Sequence, residues 1–109
     1  MSPITTHVLD TAAGRPAAGI AVVLELFTEA THTWTILAHG ATDSDGRASG
    51  LLSGDHVLQP GLYGLRFDTS GISPFFPEVS IRFRIENPGQ HYHVPLLLSP
   101  YGYSTYRGS

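Results

Sequence analysis

The chain has 109 residues, a formal net charge of −3, no cysteine and no lysine. That length fits a single domain, 1–109, large enough to bury a core without staples. The missing residue types exclude disulfides, thiolate metal sites, cysteine nucleophiles and Schiff-base chemistry.

The cations are six arginines, at positions 15, 47, 66, 82, 84 and 107. Their scatter along an acidic chain argues against a nucleic-acid or anionic-membrane partner. The opening MSPITTHVLD has no charged stretch leading into an apolar one, so no secretory signal is visible. No apolar run is long enough to span a bilayer, and a cytoplasmic protein is the expectation.

Twelve glycines and eight prolines punctuate short runs rich in Val, Leu, Ile, Phe and Tyr, the pattern of a β-sandwich or barrel. Residues 4–9 form the first predicted strand. AAGIAVVLELFTEA could pass for helix on its Ala and Leu content, but Gly14, Pro16 and Gly19 crowd its start, and a strand over 20–28 is the better reading. Residues 33–42 are its hairpin partner. DSDGR (43–47) resembles the start of a calcium loop, but its glycine comes too early and no closing glutamate follows. It reads as a hairpin turn in which Asp-Gly supplies positive φ angles, and Arg47 beyond it could be a solvated charge. A strand over 61–69 follows a Pro-Gly turn. In 78–86, Val79, Ile81, Phe83 and Ile85 alternate with Ser80, Arg82, Arg84 and Glu86, the period of two of a sheet with one wet side. NPGQ turns the chain into strands over 91–98 and 101–107.

Alternation also sorts the functional side chains. On the first strand Ile4, Thr6 and Val8 share one face and Thr5, His7 and Leu9 the other. On the penultimate strand Tyr92, Val94, Leu96 and Leu98 suit a core, which turns His91, His93, Pro95 and Leu97 outward. On the last strand Ser104 and Tyr106 share a face. If the first and penultimate strands are neighbours, His7 and His93 converge outside the sandwich, and Leu9 and Leu97 beside them point to a face covered by another subunit. From pattern alone a plain surface role is the simpler reading of each imidazole, and His32, His39, His56 and His91 read as solvated.

His-x-His on a strand also has a geometry that zinc or copper accepts, with His7 as a third ligand, although alternating strands produce such pairs by chance. No G-x-S-x-G elbow and no glycine-rich phosphate loop occurs. What remains is a pair of imidazoles, a guanidinium and C-terminal hydroxyls. That set suits general acid–base activation of a water beside an arginine that holds a carbonyl-rich substrate.

THVLD, GRPAAGIAV, TDSDGR and above all HYHVPLLLSPYGYSTYRGS resemble the 5-hydroxyisourate hydrolases, transthyretin-related enzymes of purine catabolism. The likeness spans nearly the whole chain, and the YRGS ending is its most specific part. The resemblance implies an all-β, transthyretin-like (immunoglobulin-like) sandwich of two four-stranded sheets, assembled as a homotetramer, a dimer of dimers. Active sites would lie in a channel between dimers. It implies His7, Arg47 and His93 as catalytic residues, with His7, Arg47, Tyr106 and Ser109 contacting substrate. The tetrapeptide it singles out is Tyr106, Arg107, Gly108 and Ser109. The implied reaction opens the six-membered ring of 5-hydroxyisourate to 2-oxo-4-hydroxy-4-carboxy-5-ureidoimidazoline, without metal or organic cofactor. One departure stands out: FDTSGISPFFPEVS leaves too few residues for the family's short helix between the fifth and sixth strands. Two rivals are a non-catalytic small-molecule carrier of the transthyretin type and a zinc-bridged assembly module.

Overall fold

The computed structural model describes residues 2–109. In chain order its strands are β1 (Ile4–Asp10), β2 (Arg15–Pro16), β3 (Ala21–Thr28), β4 (Thr33–Ala41), β5 (Arg47–Ala48), β6 (Gly61–Asp68), β7 (Glu78–Ile85), β8 (Tyr92–Ser99) and β9 (Gly102–Thr105). They build two sheets. One runs β4-β3-β6-β7, and the other runs β2-β1-β8-β9 with β5 added beside β1. The seven longer strands fall where alternation placed them. The two-residue strands β2 and β5 are too short to show a period and come in addition.

Alternation decides what lies between the sheets. Ile4, Thr6 and Val8 of β1 are buried, as are Tyr92, Val94, Leu96 and Leu98 of β8. The apolar ones meet Val22, Leu24, Leu65, Phe67, Val79, Ile81 and Ile85 in one cluster. Each fully buried aliphatic or aromatic side chain contributes about 1.5–3 kcal/mol relative to exposure. Thr6, wholly buried, satisfies its hydroxyl on the Val94 carbonyl and so ties β1 to β8 inside the core.

The β1–β8 pairing is parallel, with Thr5 beside His93, His7 beside Pro95 and Leu9 beside Leu97. Parallel neighbours need a long connection, and here nearly the whole chain lies between them. β3 and β4 form the expected hairpin.

DSDGR behaves otherwise than expected. Of its residues only Gly46 takes a positive φ, 76°, and the strand after it pairs with β1 rather than folding back on β4. The turn therefore carries the chain from one sheet to the other. Among the described residues no helix forms, so the segment between β6 and β7 lacks one, as its length demands. Thr69 and Ser73 brace that segment instead, through the Phe76 carbonyl and, at 2.7 Å, the Pro100 carbonyl. No helix is long and apolar enough to cross a membrane.

Candidate active site

The outer face of the β2-β1-β8-β9 sheet collects the candidate groups. His7 lies directly opposite Arg47 in the antiparallel β1–β5 pair. One step along β1 on the same face, Thr5 lies opposite His93. The small side chains of Thr5 and Pro95 thus occupy the corners between the two imidazoles, which stand diagonally across neighbouring strands. Both imidazoles are half-buried, and Arg47 is exposed.

Each imidazole is held by a different device. Nε2 of His7 is 2.8 Å from the Asp45 carbonyl oxygen. A carbonyl can only accept, so Nε2 carries the proton and a neutral His7 has its lone pair on Nδ1. The Asp45 carbonyl is aimed by the turn around it. The Asp43 carboxylate accepts from the amides of Asp45 at 2.8 Å and Arg47 at 3.0 Å, and Val8 N–H donates to the Gly46 carbonyl at 2.8 Å. Those two amide bonds, Arg47's first, hold the Asp43 carboxyl below its ordinary 3.8, and the charges of Arg47 and His7 add to the effect. Gly46 is required here. A Cβ on it would lie 2.5 Å from the Val8 carbonyl oxygen and 3.2 Å from the His7 ring, so only a bare backbone lets the turn settle on His7.

His93 is held from two sides. Its Nδ1 lies 2.8 Å from the Thr5 hydroxyl, which is also 3.0 Å from Nε2 of His91. Over the ring lies the C-terminal segment. Gly108 N–H donates to the His93 carbonyl at 2.8 Å, and a Cβ on Gly108 would come within 2.6 Å of His93 Cδ2. The ladder between β8 and β9 is interrupted opposite Pro95, which has no N–H to give, and resumes at His93 and Gly108. Burial holds the His93 pKa below its ordinary 6.5, and the positive charges of His7, His91 and Arg47 lower it further. The ring is therefore neutral at neutral pH.

The tail's other residues diverge. Arg107 leaves the imidazole face, donates to the Gln90 side chain at 2.9 Å and stacks 4.5 Å over the Tyr92 ring, so it anchors the segment. Tyr106 is 56% exposed and borders the groove where the outer strands β7 and β9 leave the sandwich open, among Ile81, Phe83 and Val94. Ser109 is exposed beyond Gly108. The single chain therefore brings His7, Arg47 and His93 to one outer face, sets the tail's Gly108 against the His93 ring, and leaves Tyr106 on the open edge. Among the described residues no three His, Cys, Asp or Glu side chains are grouped to hold a metal ion.

Sequence reasoning missed Thr5, the Asp45 carbonyl and the packing duties of Gly46 and Gly108. Thr5 had a signal, its shared face with His7, but its importance needs the β1–β8 register.

A sandwich of this topology with an imidazole–guanidinium outer face is of the transthyretin class. A solved sea bream transthyretin in complex with thyroxine superposes with a TM-score of 0.87 at 31% identity, over 97% of this chain and 94% of that one. The chain belongs to the HIUase/Transthyretin family, whose model matches residues 4–108. It is similar to a 5-hydroxyisourate hydrolase of Mus musculus, 46% identical over 99% of this chain and 96% of that protein. It is equally similar, at 46% identity over 98% of its length, to the uric acid degradation bifunctional protein of Arabidopsis thaliana, of which it spans only 37%.

Proposed function

We propose that the chain is a hydrolase that opens the ring of 5-hydroxyisourate in urate degradation, yielding 2-oxo-4-hydroxy-4-carboxy-5-ureidoimidazoline. The observation that carries this reading is the His7–Arg47 pair with His93 diagonally beside it on one outer face. The mouse relative, named for that hydrolysis and matched over nearly the whole chain, supports it.

A neutral imidazole, with an ordinary pKa near 6.5, takes a proton from water at neutral pH. His7 activates the water through Nδ1, the nitrogen that the Asp45 bond leaves free. The activated water adds to the ring carbonyl. The bond from that carbon to the ring nitrogen then breaks, and the nitrogen leaves with the proton the imidazole took from water. Arg47 orients the oxygen-rich substrate and offsets charge growing on the carbonyl oxygen, an effect of roughly 3 kcal/mol if it matches one oxyanion donor. His93, kept neutral by its surroundings, positions the substrate or shuttles the proton.

The chemistry draws on no metal or organic cofactor. The working form is a cytoplasmic homotetramer, a dimer of dimers, in which the outer faces of opposed sheets line a channel and Tyr106 and Ser109 contact substrate. Leu9 and Leu97, part-buried beside the imidazoles, suit a face covered by a second dimer.

The test is to mix the protein with freshly generated 5-hydroxyisourate and follow the ultraviolet absorbance. Decay faster than the spontaneous rate is the expected outcome. A second reading, a carrier of small molecules, draws on the thyroxine complex of the sea bream protein. An unchanged decay rate would leave that reading standing and remove the hydrolase.

A further inference from the structure

The structure assigns Thr5 the role of a positioning residue that sets the tautomer of His93, by accepting a hydrogen bond from His93 Nδ1–H and donating its own O–H to His91 Nε2. The argument is a proton inventory. A threonine hydroxyl has one hydrogen to give and two lone pairs. The Thr5 hydroxyl has two partners among the described residues, His93 Nδ1 at 2.8 Å and His91 Nε2 at 3.0 Å. Thr5 is only 8% exposed, so leaving its hydrogen without an acceptor is costly. The hydrogen therefore goes to one imidazole nitrogen, and the other imidazole must donate. The two rings are coupled: a proton on one facing nitrogen implies a lone pair on the other.

Exposure selects between the two arrangements: His91 is exposed and His93 half-buried. A proton on Nε2 of His93 would have no acceptor among the described residues, whereas the second nitrogen of the exposed His91 ring reaches solvent in either form. His93 therefore keeps its proton at Nδ1, on the Thr5 hydroxyl. Its Nε2, for which no partner exists among the described residues, is left as the free lone pair. Around this ring stand His7 from β1, Arg47 from β5 and the neighbouring His91, all of which oppose a second proton on it. The result is a neutral ring with its accepting nitrogen fixed, ready to take a proton at Nε2 while Nδ1–H stays on Thr5. A role for that lone pair in turnover rests on the hydrolase reading above; the tautomer does not.

Heteronuclear NMR of the imidazole nitrogens tests the assignment. In the wild-type protein, above the titration of His93, Nδ1 is expected protonated and Nε2 bare; the opposite tautomer overturns the proposal. Thr5→Val keeps the β-branched shape without the hydroxyl, and the ring is expected to shift toward Nε2–H, with Thr5→Ser restoring the original form. An unchanged tautomer in Thr5→Val overturns it as well. Should Thr5→Val fail to fold, His91→Ala serves: the freed O–H turns to His93 Nδ1, and a tautomer that stays put sinks the coupling. In the 5-hydroxyisourate assay, Thr5→Val should lose about tenfold in kcat/KM, less than the roughly 10²–10⁴-fold that an acid–base group itself contributes, while Thr5→Ser stays near wild type. A Thr5→Val enzyme as active as wild type removes the positioning role. A wild-type protein with no activity defeats the hydrolase reading alone, because the NMR result still decides the tautomer.

Discussion

His93 owes its charge state to its neighbours. Burial lowers its pKa from the ordinary 6.5, and the charges of His7, His91 and Arg47 lower it again. The titration midpoint of its ring protons, followed by NMR, is expected below 6.5, and His7→Gln is expected to raise it by removing a positive neighbour. A midpoint at or above the ordinary value contradicts the electrostatic account. The same shift has a consequence for stability. Between the lowered pKa and 6.5 the unfolded chain binds more protons than the folded one, so this residue's contribution makes stability rise with pH across that window. As pH falls through 6.5 toward the lowered pKa, that contribution is lost. His7 and Arg47 answer to a different measurement. His7→Ala should cut kcat/KM about a hundredfold or more by removing the water-activating base. Arg47→Ala should cut it about a hundredfold by removing an oxyanion-type donor. Each variant is expected to keep the folded structure intact by circular dichroism. Near-native turnover in either variant withdraws that residue from the chemistry.

At the level of elements, two short pieces of chain press on the imidazoles, and both do so through glycine. The β4–β5 turn depends on Gly46 at φ 76° with the Val8 carbonyl oxygen 2.5 Å from any added Cβ. The left-handed conformation alone costs a non-glycine residue about 1–2 kcal/mol, and the clash adds to it. Gly46→Ala is therefore expected to lower the denaturation midpoint and to weaken activity together, because Asp45 and Arg47 move with the turn. An alanine variant of wild-type stability would refute the packing argument. Gly108 is different. Its backbone has no positive φ, but its added Cβ would meet His93 Cδ2 at 2.6 Å. Gly108→Ala should leave thermal stability nearly unchanged, since a chain-end segment gives way readily, and should lower turnover by displacing the tail or tilting the ring. Loss of stability with full turnover would reverse that assignment.

The whole molecule is a sandwich whose two sheets end at β7 and at β9, two edges that line one groove. Unpaired strand edges invite pairing with another chain, and a closed assembly satisfies them by symmetry. The proposed tetramer therefore predicts a mass near four chains in sedimentation equilibrium. A monomer throughout the concentration range of the activity assay, with turnover undiminished, would show that the site is complete within one chain.

How much of this was legible in the letters divides along a physical line. The seven longer strands, their buried faces and the outward turn of His7 and His93 follow from a period of two, which every residue of a strand reports locally. The missing helix follows from counting residues between β6 and β7. The proposed roles of His7, Arg47 and His93 come from the family resemblance and not from pattern, which favoured plain solvated roles. What the sequence by itself determined is therefore which face each side chain takes along its own strand. Only the tertiary structure decided which strands adjoin. The parallel β1–β8 register sets Thr5 against His93, β5 reaches across to put Arg47 opposite His7, and the tail settles on His93 through Gly108. Those contacts join residues up to 88 positions apart, and no local periodicity carries information about so distant a partner.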